Sequence, residues 1–266
     1  MIGAASVMKP LESVTAALPE AMRNLELPQL PSPSTENAAL LFGDWLTVIS
    51  PLMGDLSTSS REFWDWVQRE VEVKYNEWLL ATPLGRLRIK VEEQVSPRFQ
   101  RLDQRASSTL LAALPEPVRK DIVASRRVAT QAILYKLFTI YQPGGNAERG
   151  NLLRSLTEVK CGSSIQDTLG AIRTWRRWIC RAEELHVAIP DSMVLIQALS
   201  KVAENLTKHG GSQVGFRIAA ARQELEVDRR PTLTTTKEFA EFLQAEAEDL
   251  ALTMPHPSSA KTTGSG

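Results

Sequence analysis

The sequence predicts an all-α protein of two small helical lobes with flexible termini, and three observations carry that prediction. Apolar residues recur at steps of three and four through most of the chain, the spacing of one helix face. The breaks between these stretches are clusters of proline or glycine, which end helices. No alternating strand pattern bounded by turn residues rivals them. The short alternation Leu87-Arg88-Ile89-Lys90-Val91 fits a helix or an irregular segment better.

Residues 1–35 are expected to form a flexible arm. The stretch Pro28-Gln29-Leu30-Pro31-Ser32-Pro33-Ser34 cannot continue a helix, because each proline removes a donor and restricts the residue before it. A short helix over Leu11–Leu25 is interrupted by Pro19. The first lobe is expected over 36–114. There Ser59 and Glu62 have capping-box spacing, in which a side-chain oxygen satisfies an orphan N–H at a helix start. Trp64, Val67, Val71, Tyr75 and Trp78 then mark one helix face, ending near Thr82-Pro83. Leu102 to Leu114 is the next apolar segment, closed by Pro115-Glu116-Pro117, and this break sets the expected boundary between the lobes.

The second lobe is expected over 116–252. Ile122, Ala129, Ile133, Leu137 and Ile140 mark a long helix that stops at Gln142-Pro143-Gly144-Gly145. Ile165 to Val187 follows, stopped by Pro190. Leu195, Leu199, Val202 and Leu206 form the next face, before Gly210-Gly211. The last helix is expected near Thr235 and Glu238, a second capping-box pair, burying Phe239, Phe242, Leu243 and Leu250. Residues 253–266, rich in Pro, Ser, Thr and Gly, are expected to be a flexible tail. No repeat of fixed period is visible, which argues against a solenoid.

Composition narrows the function. With 31 basic and 31 acidic residues the formal net charge is zero, so any nucleic-acid contact must come from a local patch. Two cysteines, Cys161 and Cys180, cannot build a disulfide framework or a tetrahedral zinc site. They fit a reducing, cytoplasmic home. No apolar run approaches the roughly 20 residues of a membrane span, and Met1-Ile2-Gly3 opens no signal peptide or myristoylation pattern. No membrane partner is expected.

Enzymatic signatures are missing, and the expectation is a protein that is not an enzyme. Gly144-Gly145 follows a helix and does not open one as a phosphate loop would. His186, His209 and His256 are scattered, with His186 read on an apolar helical face and the other two in turns. Asp167-Thr168 is followed by Leu169, not by the glycine of an aspartic protease. Gly-x-Ser-x-Gly does not occur. No cofactor, metal or small-molecule substrate is therefore expected.

Two basic groups and four tryptophans are the residues of interest. On a wheel of about 100° per residue, Trp175, Trp178, Ile179, Ala182, His186 and Ile189 gather on one side of the Ile165–Ile189 stretch. Arg173, Arg177 and Arg181 form a ladder on the other side. Such a ladder can meet RNA phosphates or acidic groups of a neighbouring subunit, or simply be a solvated face. Arg119, Lys120, Arg126 and Arg127 form the second group, paired by a spacing of seven and preceded by Arg98, Arg101 and Arg105. It is the best nucleic-acid candidate, against the same solvated-face alternative. Trp64, Trp78, Trp175 and Trp178 are expected in the core, since base stacking would need them exposed.

One stretch carries a family resemblance. It runs from Ala129-Thr130-Gln131-Ala132-Ile133-Leu134-Tyr135 through Tyr141-Gln142-Pro143-Gly144-Gly145 and Asn151-Leu152-Leu153-Arg154-Ser155-Leu156-Thr157. Ser163-Ser164-Ile165-Gln166-Asp167-Thr168-Leu169, Trp175-Arg176-Arg177-Trp178, Ile189-Pro190-Asp191 and Ala198-Leu199 complete it. This pattern resembles the Gag capsid region of LTR retrotransposons, copia-type or gypsy-type. Phe42-Gly43-Asp44-Trp45-Leu46 and Phe63-Trp64-Asp65-Trp66-Val67 are similar to the tryptophan-bearing helices of the N-terminal capsid lobe. The resemblance spans residues 40–205 and rests on spacing and residue class. It implies two capsid lobes that assemble as hexamers and pentamers of a shell around the element's RNA, held by weak non-specific contacts. The family's zinc knuckle, Cys-x-x-Cys-x-x-x-x-His-x-x-x-x-Cys, is not in this sequence. A helical adaptor that binds a protein partner without polymerising is the competing expectation.

Overall fold

In the computed structural model the described residues are 25–91 and 95–253, and they carry α-helices and no strand. The elements are α1 (Ala38–Met53), α2 (Ser60–Leu80), α3 (Pro83–Arg86), α4 (Gln100–Ala112, entered by a 3-10 turn at Pro97–Phe99) and α5 (Glu116–Ala124). They continue as α6 (Thr130–Tyr141), α7 (Asn146–Thr157), α8 (Ile165–Glu184), α9 (Ser192–Glu224) and α10 (Leu233–Thr253).

The chain divides into two compact units between Tyr141 and Gln142. The expected boundary at Pro115-Glu116-Pro117 is therefore corrected. Val118 and Ile122 of α5 and Ile133, Leu134, Leu137 and Tyr141 of α6 share one core with Phe42, Trp64 and Leu110. The prolines there start a helix, because a first-turn N–H is unpaired in any case. In the first unit α2 lies along α6, with α1 and α4 also against α6. Phe42 sits at the aromatic centre, stacked on Tyr141 at 5.0 Å and edge-on to Phe138 at 5.2 Å.

The end of the expected arm is also corrected. Leu27 and Leu30 are buried in the first unit. The Leu30 N–H donates to the Ala113 carbonyl at 2.8 Å, and Trp45 Nε1 donates to the Pro28 carbonyl at 2.8 Å. The Tyr141 hydroxyl donates to the Pro31 carbonyl. Prolines bar a helix here but keep their carbonyls, so this extended strap is fastened by the Pro28 and Pro31 acceptors together with the Leu30 donor. Residues 1–24 of the expected arm and 254–266 of the expected tail lie outside the described residues.

The second unit packs α10 against α8 and α9, with α7 against α8 and α9. Its core holds Leu152, Leu156, Ile172, Trp175, Trp178, Leu199, Val202, Phe239 and Leu243. The Gly210-Gly211 break is real: Gly211 (φ 69°, ψ −162°) interrupts the helical backbone of α9. The chain then resumes the helix, burying Val214, Ile218 and Ala221, a segment the sequence reading left unassigned.

Three local expectations change. Ser59 makes no side-chain cap. Ser60 takes that corner by donating to the Gly54 carbonyl at 2.8 Å, and Glu62 pairs with Arg98 at 2.6 Å. The last helix starts earlier than Thr235, since the Thr232 hydroxyl accepts from the Thr235 N–H at 3.1 Å. His186 is off the apolar face: α8 ends at Glu184, and His186 is exposed with a left-handed backbone (φ 49°).

Candidate functional site: two arginine groups

The α8 helix is launched by a reciprocal cap. The Ser164 hydroxyl accepts from the Asp167 N–H at 3.0 Å, and the Asp167 carboxylate accepts from the Ser164 N–H at 3.2 Å. These bonds hold the Asp167 carboxyl below its ordinary pKa. Trp175 and Trp178 then point into the core, each 1% exposed, as the apolar face required. Trp175 Nε1 donates to the Leu156 carbonyl at 3.0 Å, whereas Trp178 Nε1 has no partner among the described residues.

The opposite face of α8 is wired to its own unit. Arg173 pairs with Glu248 of α10 at 2.9 Å. Arg176 reaches Gln244 at 2.6 Å and Glu241 at 2.7 Å. Arg181 pairs with Glu148 of α7 at 2.8 Å and with Glu184 at 2.9 Å. Glu148 is the most buried acid of this network, with its side chain 1% exposed. Its second oxygen accepts from the Gly144 N–H at 2.5 Å, and Arg149 donates to the Gly144 carbonyl at 2.9 Å. Burial works against the Arg181 charge, but the hydrogen bonds it donates to Glu148 and Glu184 outweigh it and hold its pKa above the usual value. Of the expected ladder, Arg173 and Arg181 thus serve as internal ties, and Arg177 is exposed on the same helix.

The second group lies around the α5–α6 turn. Arg119, Lys120 and Arg126 are exposed. Lys120 pairs with Glu116 one turn back at 2.6 Å, both side chains being more than half exposed. Arg127 is half-buried and donates from Nη2 to the Val91 carbonyl at 3.0 Å. The spacing of seven does not bring the pairs together on one helix face, because α5 ends at Ala124 and Arg126 takes a left-handed backbone (φ 56°). Arg119 and Arg126 are exposed cations of this stretch, and Lys120, also exposed, is paired with Glu116.

Trp64 is 2% exposed and in the core as expected. Trp78 is corrected: it is half-buried at the end of α2, stacked on Tyr75 at 5.9 Å. The Arg86 guanidinium lies 3.9 Å over the centre of the Trp78 ring. The reason is position: Trp78 falls in the last turn of α2, where the helix runs past the core.

The sequence reading missed two further ion pairs of the second unit. Arg217 binds Glu246 of α10 at 2.7 Å, and Arg222 binds Asp228. Arg176 was passed over because it is not on the ladder's spacing. Glu148 could have been suspected from its place one turn before Leu152, on the apolar side of α7. Among the described residues no group of three or more His, Cys, Asp and Glu could hold a metal ion. Burial pushes the Cys161 thiol pKa up, which disfavours the reactive thiolate, and Cys180 is exposed.

Compared with known proteins, the chain matches no family model, no curated protein and no solved structure.

Proposed function

We propose that this chain is a Gag-like capsid protein that self-assembles into particles enclosing retrotransposon RNA. The observation that carries the reading is the division into two all-helical units, each with its own core, at Gln142-Pro143-Gly144-Gly145. The sequence resemblance to the capsid region runs through that same junction. Small independent helical units suit a shell, where many weak contacts become strong together by avidity. A net charge of zero lets copies approach without large mutual repulsion. Arg119 and Arg126 supply exposed cations for non-specific RNA contact. Arg173 and Arg181 do not enter this role, since both are engaged within their unit.

Sedimentation over a concentration series, with and without RNA, tests the reading, and electron microscopy identifies the product. Closed particles, promoted by RNA at low salt, are expected. The double charge reversal Arg119→Glu with Arg126→Glu should weaken the RNA effect while leaving the unfolding midpoint nearly unchanged, because exposed charges contribute little to stability. A monodisperse monomer at every concentration and salt would replace this reading with the helical adaptor.

A further inference from the structure

The break in α9 is a reversal of direction. A Cβ at Gly215 would stand 3.0 Å from Thr207 Cγ2, and Arg222 Nη1 donates to Ser200 Oγ at 3.1 Å. The first pair lies four residues to either side of Gly211 and the second eleven. A straight helix would hold the partners about 12 Å and about 33 Å apart. Residues 192–210 and 212–224 are therefore antiparallel arms of a helical hairpin, and Gly210-Gly211 is the whole turn between them.

This turn tolerates no side chain. Gly211 takes φ 69° and ψ −162°, backbone that is essentially glycine's alone. A Cβ at Gly210 would lie 2.2 Å from Val214 Cγ2 and 3.1 Å from Leu250 Cδ2. A hinge so short and so constrained, with helix on both sides, has a second solution. Gly211 turns helical, and α9 becomes one straight rod.

The part beyond the hinge moves as a piece. Arg217 binds Glu246 and Arg222 binds Asp228, so residues 212–253 are tied to one another. What this piece meets in the rest of the unit is α8 and the first arm of α9. Arg173 of α8 pairs with Glu248 of α10, Arg176 with Glu241, and Glu183 with Lys237. Phe239, Leu243 and Ala247 are buried along the same helix α10. Straightening α9 carries these groups off their own α8. The surface that fits them again is the α8 and first arm of a second copy, whose own piece makes the reciprocal move. Each contact then repeats one already made within the chain, so the two states differ chiefly at the hinge.

We infer that the second unit exchanges residues 212–253 with a second copy of the chain, with Gly210-Gly211 as the hinge and α9 continuous in the exchanged dimer. The contact within one chain has the advantage of high local concentration, so exchange grows as protein concentration rises. The inference does not rest on the capsid reading, because the exchanged contacts are those of the second unit itself.

Co-refolding of two full-length chains at high concentration tests it. Both carry Cys161→Ala and Cys180→Ser; one carries Arg173→Cys and the other Glu248→Cys. A short bis-maleimide should join them as a covalent heterodimer, because exchange sets α10 of one chain on α8 of the other. Sedimentation reads the association constant in parallel. Gly211→Ala should raise that constant by about a hundredfold or more, since each of the two hinges shifts about tenfold toward helix. Inserting Gly-Ser-Gly-Ser between Gly210 and Gly211 relieves the turn, and should abolish the cross-link while keeping the parent's helix content. Absence of the heterodimer in the co-refolded parent would overturn the inference. So would a Gly211→Ala chain that associates no more than the parent, or a long-turn chain that still cross-links. Particles that assemble without the cross-link leave the capsid reading standing and sink this one.

Discussion

Trp175 and Trp178 stand one turn apart on α8 and are equally buried, yet their indole N–H groups end differently. Trp175 donates to the Leu156 carbonyl and Trp178 to nothing among the described residues. Alanine at either position should cost about 3–5 kcal/mol, because each leaves a large cavity. Phenylalanine should separate them. Trp175→Phe strands a buried carbonyl and should cost about 1 kcal/mol more than Trp178→Phe, which strands none. Urea denaturation of the two variants checks the order, and equal losses would count against the hydrogen bond. Acid should weaken the second unit through three carboxyls held below their ordinary pKa. Hydrogen bonds lower Asp167 through Ser164, Asp228 through Arg222, and Glu248 through Gln244 and Arg173. A depressed folded-state pKa contributes stability that is complete above the unfolded value, about 4, and is lost as pH falls through the folded one. The unfolding midpoint should therefore fall between pH 5 and pH 2, and less so in Asp228→Asn. Apolar period alone marks Trp64, Trp175 and Trp178 as core residues. It misjudged Trp78, because period gives the side of a helix and not how far along that side the core extends. It also read Arg173 and Arg181 as available charges. Their partners, Glu248 and Glu148, lie 75 and 33 residues away, beyond any local pattern.

Helix starts show the same limit one level up. Ser59 and Glu62 have the right spacing for a box that does not form, since Ser60 closes the corner onto Gly54 and Glu62 is drawn off to Arg98. Spacing sets what is possible locally, and a tertiary competitor decides. The glycines divide just as sharply. Gly211 lies in backbone space that is essentially reserved for glycine, so Gly211→Ala should cost about 1–3 kcal/mol. Gly170 sits inside α8 with nothing within 4 Å of an added methyl group, so Gly170→Ala should stabilise by about 0.5–1 kcal/mol. Thermal melts of the two variants should move in opposite directions. The sequence reading recognised Gly210-Gly211 as a stop. It left 212–224 unassigned because a glycine pair usually ends a helix, and here the chain turns and starts another.

At the scale of the molecule, the all-helical class and the presence of two units were legible from period and punctuation. The division itself was not. Pro115-Glu116-Pro117 is the stronger break on paper, but a domain boundary is a property of shared cores, and α5 and α6 share theirs with α1, α2 and α4. The strap at 25–31 was hidden for a related reason: prolines announce the lack of a helix and say nothing about docking. A chain begun at Asn37 would lose the buried Leu27 and Leu30 and leave the Trp45 indole N–H without its acceptor. Its first unit should be less stable by roughly 3 kcal/mol or more than that of a chain begun at Leu25. Calorimetry of the two shortened chains checks the difference. The Tyr141 hydroxyl, whose pKa burial pushes up to about 12, ties the last residue of the first unit to Pro31, 110 residues earlier. On the ribosome this bond is the last one available to that unit. Its earlier helices must wait, incompletely closed and with apolar surface open, until Tyr141 emerges. Once Tyr141 has cleared the ribosome the first unit can finish packing while much of the second is still being made.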